Sequence, residues 1–147
     1  DDTDDDGLID GSVDGEDANA NGRWDAGETD PNNPDTDGDG IQDGTEIGLA
    51  SPQGSGTDMG VFIPDADPTT TTDPLNKDTD GGGVPDGEED TNHNGRVDPG
   101  ERDPLDFRDD VPPPSVPTLS QWGKIALITL FAGLLVWMTR GRMRLAS

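Results

Sequence analysis

The chain has 147 residues, 33 of them acidic against nine basic, and a net charge of −24; only 27% of its residues are hydrophobic. So acidic a chain repels nucleic acid, the absence of cysteine excludes a disulfide framework, and the scattered large apolar residues exclude an ordinary core over most of the length. Every acidic residue lies at or before Asp110, where five basic residues against 33 acidic ones leave −28, whereas Lys124, Arg140, Arg142 and Arg144 give the remainder +4.

The chain opens with a loop pattern that recurs along it. Asp2, Asp4, Asp6, Gly7, Leu8 and Asp10 stand at the first, third, fifth, sixth, seventh and ninth places of a twelve-residue calcium loop. Calcium takes six to eight oxygen ligands at about 2.3–2.6 Å, and this spacing supplies them from one short segment: side chains at places one, three, five and nine, a carbonyl at seven and a carboxylate at twelve, with glycine at six for the sharp turn. The twelfth place here is Val13, so the closing carboxylate is expected from nearby, at Asp14 or Glu16. Asp1 is no initiator methionine and no signal peptide precedes it; the chain is expected to be a processed product or a fragment of something longer.

The second loop runs Asp17, Asn19, Asn21, Gly22, Arg23 (carbonyl), Asp25 and Glu28, with two amides in place of carboxylates. A polar connector, TDPNNP at 29–34, leads to the third loop. That loop, Asp35, Asp37, Asp39, Gly40, Ile41 (carbonyl), Asp43 and Glu46, fills every ligand place, the ninth directly or through water. An acidic solvated turn would not need five ligand places and the glycine in register.

Residues 48–71 form an insertion rich in Gly, Ser, Thr and Pro, whose short apolar run Val61-Phe62-Ile63 is expected to be a brief strand or a plug between modules. The connector then returns as TDPLNK at 72–77, and again as RDPLDF at 102–107; the two full copies of the repeat are offset by 43 residues. The fourth loop is Asp78, Asp80, Gly82, Gly83, Val84 (carbonyl), Asp86 and Glu89. Its fifth place, Gly82, has no side-chain oxygen, and water or a neighbour is expected to complete it. The fifth loop is Asp90, Asn92, Asn94, Gly95, Arg96 (carbonyl), Asp98 and Glu101, a near copy of the second. Ile9, Trp24, Ile41, Val84 and Val97, one in each loop, are expected to pack against neighbouring loops as small plugs.

The stretches DPNNPDTDGDGIQDGTE and DPLNKDTDGGGVPDGEE resemble bacterial thrombospondin type 3 repeats, and the resemblance covers most of residues 1–106. It implies a mostly irregular, coil-like chain wrapped around calcium ions, with little regular secondary structure. About three to five ions per chain are expected, and their binding energy becomes folding energy.

Residues 111–118, VPPPSVPT, read as a semi-rigid polyproline stalk. Polarity then reverses. Residues 119–139 carry the apolar run KIALITLFAGLLVWMT, long enough as a helix to span about 30 Å of bilayer core. Trp122 and Trp137 bracket the span, and the arginines of 140–147 place the basic tail in the cytoplasm and the acidic part outside. Gly123, Ala126 and Gly133 recur along one side, as in helices that pack against copies of themselves. The stretch VPTLSQWG, followed by an apolar helix and an arginine tail, resembles the IPTL-type C-terminal sorting signal of Gram-negative bacteria through Pro117, Thr118, Leu119, Trp122 and Gly123, with Val116 where that family has Ile. The resemblance implies secretion across the inner membrane and recognition by an exosortase-type membrane protease.

Catalysis has little to stand on. His93, the lone histidine, sits between two ligand asparagines; there is no Cys or Tyr, no serine has a partner histidine in a plausible triad, and calcium accounts for the carboxylate spacing. The chain therefore reads as a non-enzymatic, calcium-stapled extracytoplasmic structural protein, anchored by one helix and assembled into a surface polymer, coat or tubule. The alternative is a calcium-dependent stalk or anchor at the C-terminal end of a longer secreted adhesin or hydrolase.

Overall fold

The computed structural model describes residues 1–110; the stalk, the apolar helix and the basic tail expected at 111–147 lie outside the described residues. The described chain is almost entirely irregular. Its helices are two single turns, α1 (Asp43–Glu46) and α2 (Asp86–Glu89), and no helix among the described residues is long and apolar enough to cross a membrane. Both turns occupy the last four places of a loop. Such short helices do not stand alone, and here side chains hold them at the start. Thr36 donates from its backbone and its hydroxyl to the two oxygens of Asp43, at 2.8 and 2.6 Å. Thr79 holds Asp86 the same way, at 2.9 and 2.7 Å.

All five loops share one backbone course. In each, the first-place aspartate accepts the amide of the sixth-place glycine: Gly7 to Asp2, Gly22 to Asp17, Gly40 to Asp35, Gly83 to Asp78 and Gly95 to Asp90, at 2.7–3.1 Å. Closing so tight a ring drives the sixth residue into the left-handed region in every loop, with φ from +74° to +112°. Glycine enters that region without steric cost.

The buried interior is largely acidic. Leu8, Ile41 and Phe62 are the buried hydrophobic residues among those described, whereas most of the largest fully buried side chains are carboxylates: Glu16, Glu46, Glu89, Asp6, Asp43 and Asp86. The run 61–63 is a plug and forms no strand. The ring of Phe62 lies over Gly7, and Gln42 grips both sides of it. The Gln42 amide donates to the Val61 carbonyl at 3.3 Å and its oxygen accepts the Ile63 amide at 2.7 Å.

The apolar residues of the loops part ways. In the first loop the buried plug is Leu8, not Ile9, because the inward position is the seventh place, which Ile41 holds in the third loop. In the second and fifth loops an arginine occupies that place, and the apolar residue moves to the eighth. Trp24 is accordingly 57% exposed, its indole N–H donating to the Glu28 carbonyl at 3.0 Å, and Val97 is also exposed.

Candidate metal centre

The first, third and fourth loops bring carboxylates together. Asp2, Asp4 and Asp6 form one group, Asp35, Asp37 and Asp39 a second, and Asp78, Asp80 and Asp110 a third; in each, one oxygen per residue lies within 4.8 Å of the others. These are the first, third and fifth places, except that Asp110 stands in for the fifth place of the fourth loop.

Two further groups join one loop to another, the first loop to the third and the third to the fourth. Asp6, Glu16 and Asp43 converge, as do Asp39, Glu46 and Asp86, each with oxygens within 4.8 Å. The joint has the same construction both times. The fifth-place aspartate of one loop accepts the amide of the tenth residue of a later one: Gly44 to Asp6 at 3.2 Å and Gly87 to Asp39 at 3.0 Å. A Cβ on Gly44 would lie 2.1 Å from the Asp6 carbonyl oxygen, and one on Gly87 would lie 2.3 Å from that of Asp39. Two backbones meet there, and only glycine lets them.

The second and fifth loops are arranged differently. Asn19 and Asn21 donate through their amides to Asp25, at 3.3 and 2.6 Å, and Asn19 also donates to Glu28 at 2.6 Å. Asn92 and Asn94 do the same to Asp98 at 3.0 and 3.1 Å, and Asn92 to Glu101 at 3.0 Å. The twelfth-place glutamate folds back on the ninth-place amide in both, Asp25 to Glu28 and Asp98 to Glu101 at 2.9 Å. A half-turn of each asparagine amide would present its oxygen in place of its nitrogen, converting an internally paired loop into a set of oxygen ligands. The seventh-place carbonyls of Leu8, Arg23, Ile41, Val84 and Arg96 accept no hydrogen bond from any described residue.

Burying carboxylates side by side disfavours their charge. Burial, reinforced by Asp39, Asp37 and Asp43, pushes Glu46 up to about 9 despite the Thr72 hydroxyl it accepts. Burial and then Asp4, Asp6, Asp10 and Asp43 push Glu16 up to about 8. Burial and then Asp110 do the same to Glu89, also to about 8. Asp6 and Asp37 rise to about 7, and Asp4 and Asp43 to about 6, burial leading in each. The fifth loop shows the opposite: hydrogen bonds from Asn92 and Asn94 hold Asp98 below its ordinary value, and the Thr91 hydroxyl holds Glu101 below its own.

Among the described residues, oxygens of Asp2, Asp4, Glu16, Asp37, Glu46, Asp65, Asp80, Glu89, Asp90 and Asp110 are buried without a hydrogen-bond partner. Unpaired buried acceptors are costly, and a cluster of them is what a cation satisfies. An all-oxygen donor set suits a hard cation. The residues present fit such an ion.

Of the two residues expected to close the first loop, Glu16 is fully buried against Asp6 and Asp43, whereas Asp14 is exposed. Two acidic residues at the loops escaped the sequence reading. Asp110 stands seven residues after Asp103, as Asp80 stands seven after Asp73, so the third echo of the connector carried the signal. Asp65, buried at the end of the insertion, reaches the fifth loop, its carboxylate 2.4 Å from where a Cβ on Gly95 would be. No spacing pattern marks it.

No protein-family model matches the chain, and neither a curated protein nor a solved structure matches it.

Proposed function

We propose that residues 1–110 form a calcium-stapled array of thrombospondin type 3-like loops, and that the chain is a membrane-anchored, extracytoplasmic structural protein. One observation carries the metal reading: at two joints of like construction carboxylates from different loops are buried together, and both oxygens of Glu16 and one of Glu46 there have no hydrogen-bond partner among the described residues. Calcium is the ion because the donors are all oxygen, and because loop spacing with glycine at the sixth place is that of calcium loops. The ions replace the missing apolar core, and their binding energy holds the loops together.

The anchoring and assembly rest on the sequence of residues 111–147: a Pro-rich stalk, one bilayer-length apolar stretch and a basic tail that resembles an IPTL-type sorting signal. On this reading the acidic array faces outward from a Gram-negative cell, an exosortase-type protease recognises the tail, and copies pack into a surface polymer, coat or tubule. Calcium bridges acidic neighbours within the range, about 8–10 Å, over which their repulsion acts.

Equilibrium dialysis of the full chain is expected to show at least three calcium ions per molecule; fewer than two would end the metal reading. Electron microscopy of particles with and without chelator tests assembly. Gly133→Leu, on the small-residue side of the apolar stretch, is expected to loosen particles while leaving calcium binding intact. Particles that survive both that substitution and chelation would refute the assembly reading.

A further inference from the structure

We propose that Asp110 is a metal ligand, and that Asp78, Asp80, Glu89 and Asp110 together hold a calcium ion that pins the end of the 102–110 turn to the fourth loop. The proposal rests on the calcium reading above and extends it to a site that no single loop of the sequence encodes.

The fourth loop lacks a fifth-place side chain because Gly82 stands there. Elsewhere that side chain has two tasks. It faces the first- and third-place carboxylates, and it accepts the seventh-place amide: Leu8 donates to Asp6 at 2.7 Å and Ile41 to Asp39 at 2.8 Å. Asp110 takes over both. Its carboxylate lies with those of Asp78 and Asp80, within 4.8 Å, and it accepts the Val84 amide at 3.4 Å, from 26 residues away. A Cβ added to Gly82 would lie 1.8 Å from Asp110 Oδ2 and 2.6 Å from its Cγ. The Asp110 carboxylate therefore fills the volume that an aspartate at position 82 would use.

A second observation points to an ion rather than to a solvated acidic patch. Asp110 is 6% exposed and its Oδ1 has no hydrogen-bond partner among the described residues. Glu89, 1% exposed, has none for either oxygen, and neither does Asp80 Oδ2. The other oxygens of the group are already spoken for: Asp78 accepts the amides of Gly81 and Gly83 at 2.9 and 3.0 Å, and Asp80 Oδ1 that of Gly82 at 2.8 Å. Four unpaired carboxylate oxygens thus remain, all buried, from three residues, with Asp110 and then Asp80 the nearest acidic neighbours of Glu89. A divalent cation satisfies them together, whereas one shared proton would satisfy two.

The connector explains how Asp110 comes to be there. Asp103 donates its amide to Asp109 at 2.9 Å, as Asp73 does to Thr79 at 2.9 Å and Asp30 to Thr36 at 2.8 Å. The 102–110 turn repeats the approach to a loop, but its third-place aspartate turns back past the fifth loop into the fourth.

The test uses the full-length chain and three variants. Asp110→Asn removes the charge with little change of shape. The double variant Gly82→Asp/Asp110→Gly moves the carboxylate onto the loop itself, where Gly82 needs no left-handed backbone and the departing side chain leaves the room. Gly82→Asp alone sets two carboxylates in one place. Calcium stoichiometry by equilibrium dialysis is the first readout, and tryptic cleavage after Arg102 and Arg108 in calcium is the second. Asp110→Asn is expected to lose one ion, or to weaken one site at least tenfold, and to be cut faster at both arginines. The double variant is expected to regain the ion without regaining the protection, because its turn is no longer tied. Gly82→Asp alone is expected to keep the ion and lose the protection as Asp110 is displaced. Unchanged stoichiometry and affinity in Asp110→Asn would overturn the proposal, as would loss of every ion in that variant or failure of the double variant to restore the lost one. A wild-type chain that binds no calcium would instead sink the calcium reading itself.

Discussion

Glu46 sets how the metal-free array responds to pH. It is 1% exposed, accepts one hydrogen bond, from the Thr72 hydroxyl at 2.9 Å, and is pushed up from an ordinary 4.5 to about 9 by burial and its acidic neighbours. A folded-state value raised in this way means stability that is fully present below about 4.5 and lost as pH climbs through about 9. At pH 7 the shift in force is roughly 2.5 units, so Glu46 alone withdraws on the order of 3 kcal/mol from the chelated fold relative to pH 4.5. That is a large share of a typical domain's 5–15 kcal/mol. Glu16, pushed to about 8, and Asp6 and Asp37, pushed to about 7, act in the same direction. They titrate together, so their losses do not simply add. Calcium reverses the sign: the ion takes the place of the proton, and its affinity rises with pH over the same window. Pulse proteolysis in urea between pH 5 and 9, with chelator and with calcium, measures both slopes. In chelator, Glu46→Gln is expected to flatten the fall and to exceed the wild type at pH 8; in calcium it is expected to be the weaker protein. A chelated wild type that gains stability with rising pH, or a Glu46→Gln variant with an unchanged slope, would refute the reasoning.

Gly44→Ala and Gly87→Ala each force a methyl to within 2.1–2.3 Å of a backbone oxygen, and are expected to cost at least 1–3 kcal/mol in urea midpoint and to open the joints. Gly11→Ala, with nothing within 4 Å, is the control and is expected to be near neutral. Ile41→Ala empties one of the few buried apolar positions and is expected to cost about 2–5 kcal/mol in calcium. Glu101 has the opposite sign to Glu46: the Thr91 hydroxyl and then the Asp98 amide hold it below its ordinary value. Its contribution is present above that value and lost as pH falls through the lowered one, so its carboxyl carbon in an NMR titration is expected to move at a lower pH than that of a free glutamate.

The loops were legible in the sequence because everything that shapes them is local. A first-place aspartate reaches its sixth-place glycine, and a second-place threonine its ninth-place aspartate, across five and seven residues. Spacing alone therefore placed the turns and the acidic groups at places one, three and five of the first and third loops, and the resemblance to thrombospondin type 3 repeats implied the near absence of regular secondary structure. What joins the loops is not local. Asp6 meets Gly44 across 38 residues, Asp39 meets Gly87 across 48, and Asp110 reaches Val84 across 26. Nothing in a twelve-residue pattern says which glycine will admit another loop's backbone, or that an aspartate beyond the last loop will turn back to fill Gly82's vacant place. The same holds for Leu8 against Ile9. Either could be the plug by composition, and the choice falls to the seventh place because the packed loops bury that position and leave the eighth nearer the solvent. Local spacing determined where oxygens are offered; tertiary docking decided which of them are buried together, because only packing removes the water that would otherwise solvate each one alone.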